Sequence, residues 1–203
     1  MRLQDHHRDQ ARRIAQHEMG HYVIARAMGF NTSEVTLELN GFDGHKGGAG
    51  IQLAGPVSTI EAAQNFLARR VIVLFAGAMS ETLTPDHIPQ TGIDNDKAIA
   101  IIRGGRGAEQ DHAKAREAIT LLRNMRYPMS VGIDDIKSEL EAIDLELWLR
   151  AQELVEHFEG TIVGIARTLA EKVQALDKTE QLTEEFLESL PAIQAIEIHE
   201  ITQ

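Results

Sequence analysis

His17-Glu18-Met19-Gly20-His21 sets two imidazoles four residues apart, with a carboxylate directly after the first. On a helix, residues at i and i+4 lie one turn apart on the same face, so both rings can reach one ion. Zinc accepts nitrogen and oxygen ligands at about 2 Å. Glu18 is rotated by about 100° from His17. It can approach a water beside the metal without coordinating, which is where a general base belongs. The competing reading is a pair of ordinary histidines in a chain that has nine of them. Against it, Ile14, His17, His21, Ile24 and Met28 recur at helical spacing on one face. Two unpartnered imidazoles on an apolar face would cost desolvation energy for no gain. His17 and His21 therefore read as metal ligands and Glu18 as a catalytic base.

A third ligand must come from elsewhere. The chain has no cysteine, which leaves His, Asp and Glu. The extended H-E-x-x-H-x-x-G-x-x-H form requires Gly at 24 and His at 27, where Ile24 and Ala27 stand. His6 and His7 precede the motif, His45 and His87 fall in loop-like stretches, and His112, His157 and His199 sit among charged neighbours. Carboxylates are the better candidates. Glu81 closes an apolar helical run, and Asp94 and Asp96 stand at the start of the next helix. Asp94 also fits an ordinary N-cap, and Asp96 suits the helix dipole in a first turn, so spacing alone does not choose among them.

The elements that carry these residues are mostly helical. The first helix starts near Asp5 or Asp9 and ends at Gly29. Residues 34–39 alternate like a strand, 41–50 are too glycine-rich for regular structure, and 50–55 suit a returning strand. Ser58 and Glu61 have capping-box spacing and open a helix through about Glu81. Residues 84–92 read as a loop, 94–103 and 108–125 as helices, and 103–107 as a turn. A long helical region follows from Asp134 or Asp135, with Gly160 or Gly164 as soft points, and a short helix follows Thr183. The fold class is mainly α with a small β hairpin or edge ribbon near residues 34–54, in one domain over 1–203. The metal site is placed within 14–96, and a C-terminal helical part within about 108–190.

A net charge of −11 argues against a nonspecific nucleic-acid binder. The charged N-terminal stretch is not a signal sequence, and no apolar run nears the roughly 20 residues of a membrane span. The expectation is a cytoplasmic protein without a membrane segment.

With these residues in view, the chain resembles the zinc peptidase domain of the FtsH-type, AAA-coupled membrane proteases. The resemblance runs over about residues 10–190. It is carried by IAQHEMGHYVIARAMGF, by VTLELN and GAGIQLAG, by VIVLFAGAMSETL, by QTGIDNDKAIAII against the family's T-G-A-S-N-D helix start, and by LAEKVQALDKTEQLTEEFLESL. It implies a helical zincin-like fold and Zn2+ held by His17, His21 and Asp96, with Glu18 as base. Glu81 takes the family's acidic position in the second helix, beside the metal or as an alternative ligand. Gly50, Ile51, Gln52 and Leu53 fall on the edge strand where that family lays an extended substrate. The second helix departs from the family's G-G-R run, and no G-x-x-x-x-G-K-[ST] nucleotide loop occurs. The implied activity is an ATP-independent endopeptidase acting on peptides or unfolded segments. A zinc-stabilised binding domain is the alternative, and oligomeric state stays open.

Overall fold

A computed structural model of the chain describes residues 3–40, 44–85, 92–104 and 107–200. Helix α1 (Asp5–Ala27) begins one residue after Gln4, whose side chain and that of His7 cap each other's backbone. Asp9 is spent instead on Arg12 and Arg13. From Ile14 to Ala27 the helix is buried on nearly every side, so it forms the centre of the molecule. It ends as expected at Gly29, with φ at +73°. The Gly29 N–H donates to Arg26 O and the Phe30 N–H to Ala25 O, a pairing that closes the last turn.

Strands β1 (Asn31–Leu39) and β2 (His45–Gln52) pair antiparallel, and β3 (Glu180–Leu182) pairs with the other side of β1. The order is β2-β1-β3, which leaves β2 at an edge. The second strand thus begins at His45, inside the stretch that composition assigns to a loop. Glycine weakens a strand by removing side-chain packing, but β2 gains its order from backbone pairing to β1, from Leu39 opposite His45 to Asn31 opposite Gln52. Val35, Leu37 and Leu39 point from β1 into the core, and Leu182 joins them from β3.

Helix α2 (Ile60–Ser80) is capped by Thr59, which accepts from Ala62 N, rather than by Ser58. Helix α3 (Asn95–Arg103) starts on Asp94 as expected, with its side chain accepting from Lys97 N at 3.0 Å. Helices α4 (Glu109–Arg126), α5 (Ile133–His157) and α6 (Glu159–Lys172) follow. The break between the last two falls at Phe158, and Gly160 and Gly164 lie within α6. Helix α7 (Glu184–Glu188) is capped by Thr183, and α8 (Pro191–Gln194) ends the regular structure. The expected loop at 84–92 falls largely on residues 86–91, outside the described residues, as do the 41–43 part of the glycine-rich stretch and residues 105–106 of the expected turn at 103–107, whose Arg103 closes α3. Among the described residues no helix is long and apolar enough to cross a membrane.

Buried apolar side chains from Leu3 to Ile193 form one continuous cluster. Helix α2 packs along α1 on one side and α4 on the other, so it relays position between them. Helix α3 is tied to α5. Trp148 packs on Phe75, with ring centroids 5.2 Å apart, and donates its indole N–H to Asn95 Oδ1 at 2.9 Å. The Asn95 amide in turn donates to Gln152 Oε1 at 3.2 Å. Removing the acceptor from a buried donor costs about 1–3 kcal/mol. Asn95→Ala is therefore expected to lower the urea-unfolding free energy by that amount while leaving metal content unchanged.

Candidate metal centre

His17 and His21 project from the central helix towards α2 at the one place where that helix has no side chain. A Cβ added to Gly77 would stand 2.5 Å from His21 Nε2 and 2.7 Å from His17 Nε2. The imidazoles therefore lie directly against the backbone of α2. That backbone also orients one of them. Val73 O accepts from His21 Nδ1 at 2.8 Å. With its proton on Nδ1, His21 presents the lone pair of Nε2 outwards, the arrangement that a backbone carbonyl imposes on metal-ligating histidines.

The third member is Asp111, from the first turn of α4. Its Oδ2 lies 3.2 Å from His17 Nε2 and 3.1 Å from His21 Nε2, and the two Nε2 atoms are 3.0 Å apart. Ligands about 2.0–2.1 Å from a tetrahedral ion are separated by roughly 3.3 Å, close to this triangle. The donor chemistry points the same way. The lone pair of His21 Nε2 and a carboxylate oxygen converge with a second imidazole nitrogen, and one proton on His17 cannot serve every contact. A cation can. Burial by itself would raise the Asp111 carboxyl, but the imidazoles against it, His17 first, outweigh that and hold the group well below the ordinary carboxylate range. Burial likewise favours neutral His17, while the bond to Asp111 and the charges of Glu18 and Glu81 draw it above its usual value. The three side chains could hold a metal ion. They keep 12%, 9% and 18% exposure, enough for the site to open onto a cleft.

Asp96 is not part of this group. It lies exposed in the first turn of α3, whose start Asn95 fastens to α5. The third position goes to Asp111 because α4 runs along α2 and its first turn arrives over the histidines. The site accordingly extends past the expected limit at 96. The letters held a signal for Asp111. Gly107-Ala108-Glu109-Gln110-Asp111 repeats the G-A-x-x-D spacing of the T-G-A-S-N-D pattern, whereas Gly92-Ile93-Asp94-Asn95-Asp96 has Ile in place of Ala.

Glu18 is buried, beside the histidines, and its carboxylate packs against the backbone of β2 so closely that a Cβ on Gly47 would overlap it. Glu81 caps the end of α2. Burial raises its carboxyl, with His17 the main opposing charge, and it is not one of the three converging groups. A cleft of about 470 Å³ opens in front of the centre. That is within the roughly 300–1,000 Å³ of ligand-binding clefts. Lys46 to Ala49 and Ile51 form its β2 wall. Gly50 and Gln52 belong to the same strand, while Leu53 lies just past its end. His45, read as a loop residue, stands on β2 at the cleft.

No protein-family model matches the chain, and no curated protein matches it.

Metal analysis tests the centre directly. The purified chain is expected to retain one divalent ion, Asp111→Ala to fall to background, and Asp96→Ala to match the parent. Gly77→Ala should also lose metal, because its methyl takes the space of the imidazole nitrogens; full retention in that variant would contradict the geometry.

Proposed function

We propose that the protein is a zinc-dependent endopeptidase that cuts peptides or unfolded protein segments without an ATP-driven motor, related to the FtsH-type peptidases. The observation that carries this reading is the junction of three features in one cleft. These are a His17, His21 and Asp111 group with three protein donors, the Glu18 carboxylate, and the edge strand β2. A purely structural zinc site is usually closed by four protein ligands. A group of three, with an acid beside it, favours catalysis over the binding-domain alternative.

His17, His21 and Asp111 would hold the zinc, which when bound would supply Lewis acidity towards a carbonyl and water. The chain's own residues supply the rest. The free edge of β2 offers backbone donors and acceptors to an extended peptide, as in β-strand addition. Glu18, fixed between α1 and the Gly47 backbone, takes the proton from the attacking water. It then delivers that proton to the departing amine nitrogen, so the peptide bond breaks without a charged amide leaving.

A quenched-peptide or casein assay with Glu18→Gln tests the reading. Activity should drop by roughly 10²-fold or more, the usual contribution of a positioned general base, while metal content is retained. A Glu18→Gln protein that cuts as well as the parent would sink the mechanism.

A further inference from the structure

Arg70 lines the metal cleft from α2, opposite the β2 wall. It is half-buried, and among the described residues it forms no ion pair. This is unusual in a chain with 31 acidic and 20 basic residues. Arg12, Arg26, Arg103, Arg123, Arg126 and Arg150 each hold a carboxylate. Arg8 and Arg116, which hold none among the described residues, are exposed to water, and half-buried Arg69 instead donates to the backbone carbonyls of Asn65 and Met28. A partly desolvated guanidinium without a carboxylate is costly, and its planar fork suits a carboxylate from a ligand. Asp111 acts on it only through space and is already engaged by both histidines. Lys114, one turn beyond Asp111 on α4, is exposed, adds a second cation at the same cleft and has no ion pair among the described residues. Lys46, by contrast, is 3.7 Å from Glu38. Glu109 is also engaged, accepting from Gly107 N.

The position of Arg70 gives the subsite a register. Arg70, Leu74 and Gly77 share one face of α2, and Gly77 underlies the histidines. Seven helical residues span about 10 Å. That equals about three residues of extended chain.

We propose that Arg70, assisted by Lys114, forms an anion subsite that receives the carboxylate of an acidic side chain about three residues from the bond being cut. The proposal rests on the endopeptidase reading and names its substrate class as acidic peptides. The net charge of −11 repels such peptides in general, so a preference for them requires a local site.

Fluorescence anisotropy on the metal-loaded chain carrying Glu18→Gln tests this without turnover. The probes are labelled neutral nonapeptides with a single Glu moved along the sequence, each compared with its Gln counterpart. One register should bind about tenfold more tightly with Glu. Arg70→Gln should abolish that advantage, Arg70→Lys should keep part of it, and Arg70→Glu should transfer it to a Lys peptide. Lys114→Gln should reduce it by about two- to threefold. Metal content and binding of the neutral peptide should stay constant across the series. Equal affinities for every Glu and Gln pair, or a Glu advantage that survives Arg70→Gln, overturns the subsite. Neutral peptides with free and amidated C-termini separate the other carboxylate source; an Arg70-dependent gain confined to free termini overturns the side-chain assignment. Absence of cleavage by the parent protein defeats the endopeptidase reading alone, because the anion subsite is decided by binding.

Discussion

The contact between the His17–His21 pair and the bare backbone of α2 at Gly77 sets the geometry of the whole centre. Because no side chain intervenes, the imidazoles are held by a helix rather than by a loop. The Val73 carbonyl on that helix chooses the tautomer of His21. Helix α2 also positions α4, and α4 brings Asp111 over the rings. On the other side, α1 carries Glu18 against β2. Each functional group therefore depends on where α1 and α2 meet. A site built on packed helices holds its geometry more tightly than one built on loops.

The electrostatics of the molecule divide into two kinds. Exposed ion pairs, such as Lys137 with Glu141, contribute at most about 1 kcal/mol each. Around His17, His21 and Asp111, charges lie where water is partly excluded, and each interaction counts for more. Histidines and carboxylates converge at one end, and the cations Arg70 and Lys114 stand further along.

Much of the helical framework was legible. Periodicity located α1, helices are read where α2, α4 and the α5–α6 region lie, and local chemistry marked Gly29, Asp94 and Thr183 as helix boundaries. These features act over a few residues, so neighbouring letters suffice. Reading failed where order came from a distant partner. His45 to Gly50 form a strand because β1 supplies their hydrogen bonds, and a run of glycines shows no alternation to betray it. The three residues of β3 became a strand for the same reason. The break at Phe158 fell beside the glycines that looked softer.

The candidate metal ligands show the same division. His17, Glu18 and His21 are related by helix geometry alone, and their placement follows from i and i+4 spacing. Asp96 and Asp111 are locally alike, each an acid in the first turn of a helix. Nothing in that local pattern says which turn reaches the histidines. The outcome rests on long-range packing. Asn95 and Trp148 hold the start of α3 against α5, while α4 lies along α2 and delivers its carboxylate. Helical spacing is written into adjacent residues, but a candidate ligand 90 residues from His21 is chosen by which surfaces bury each other.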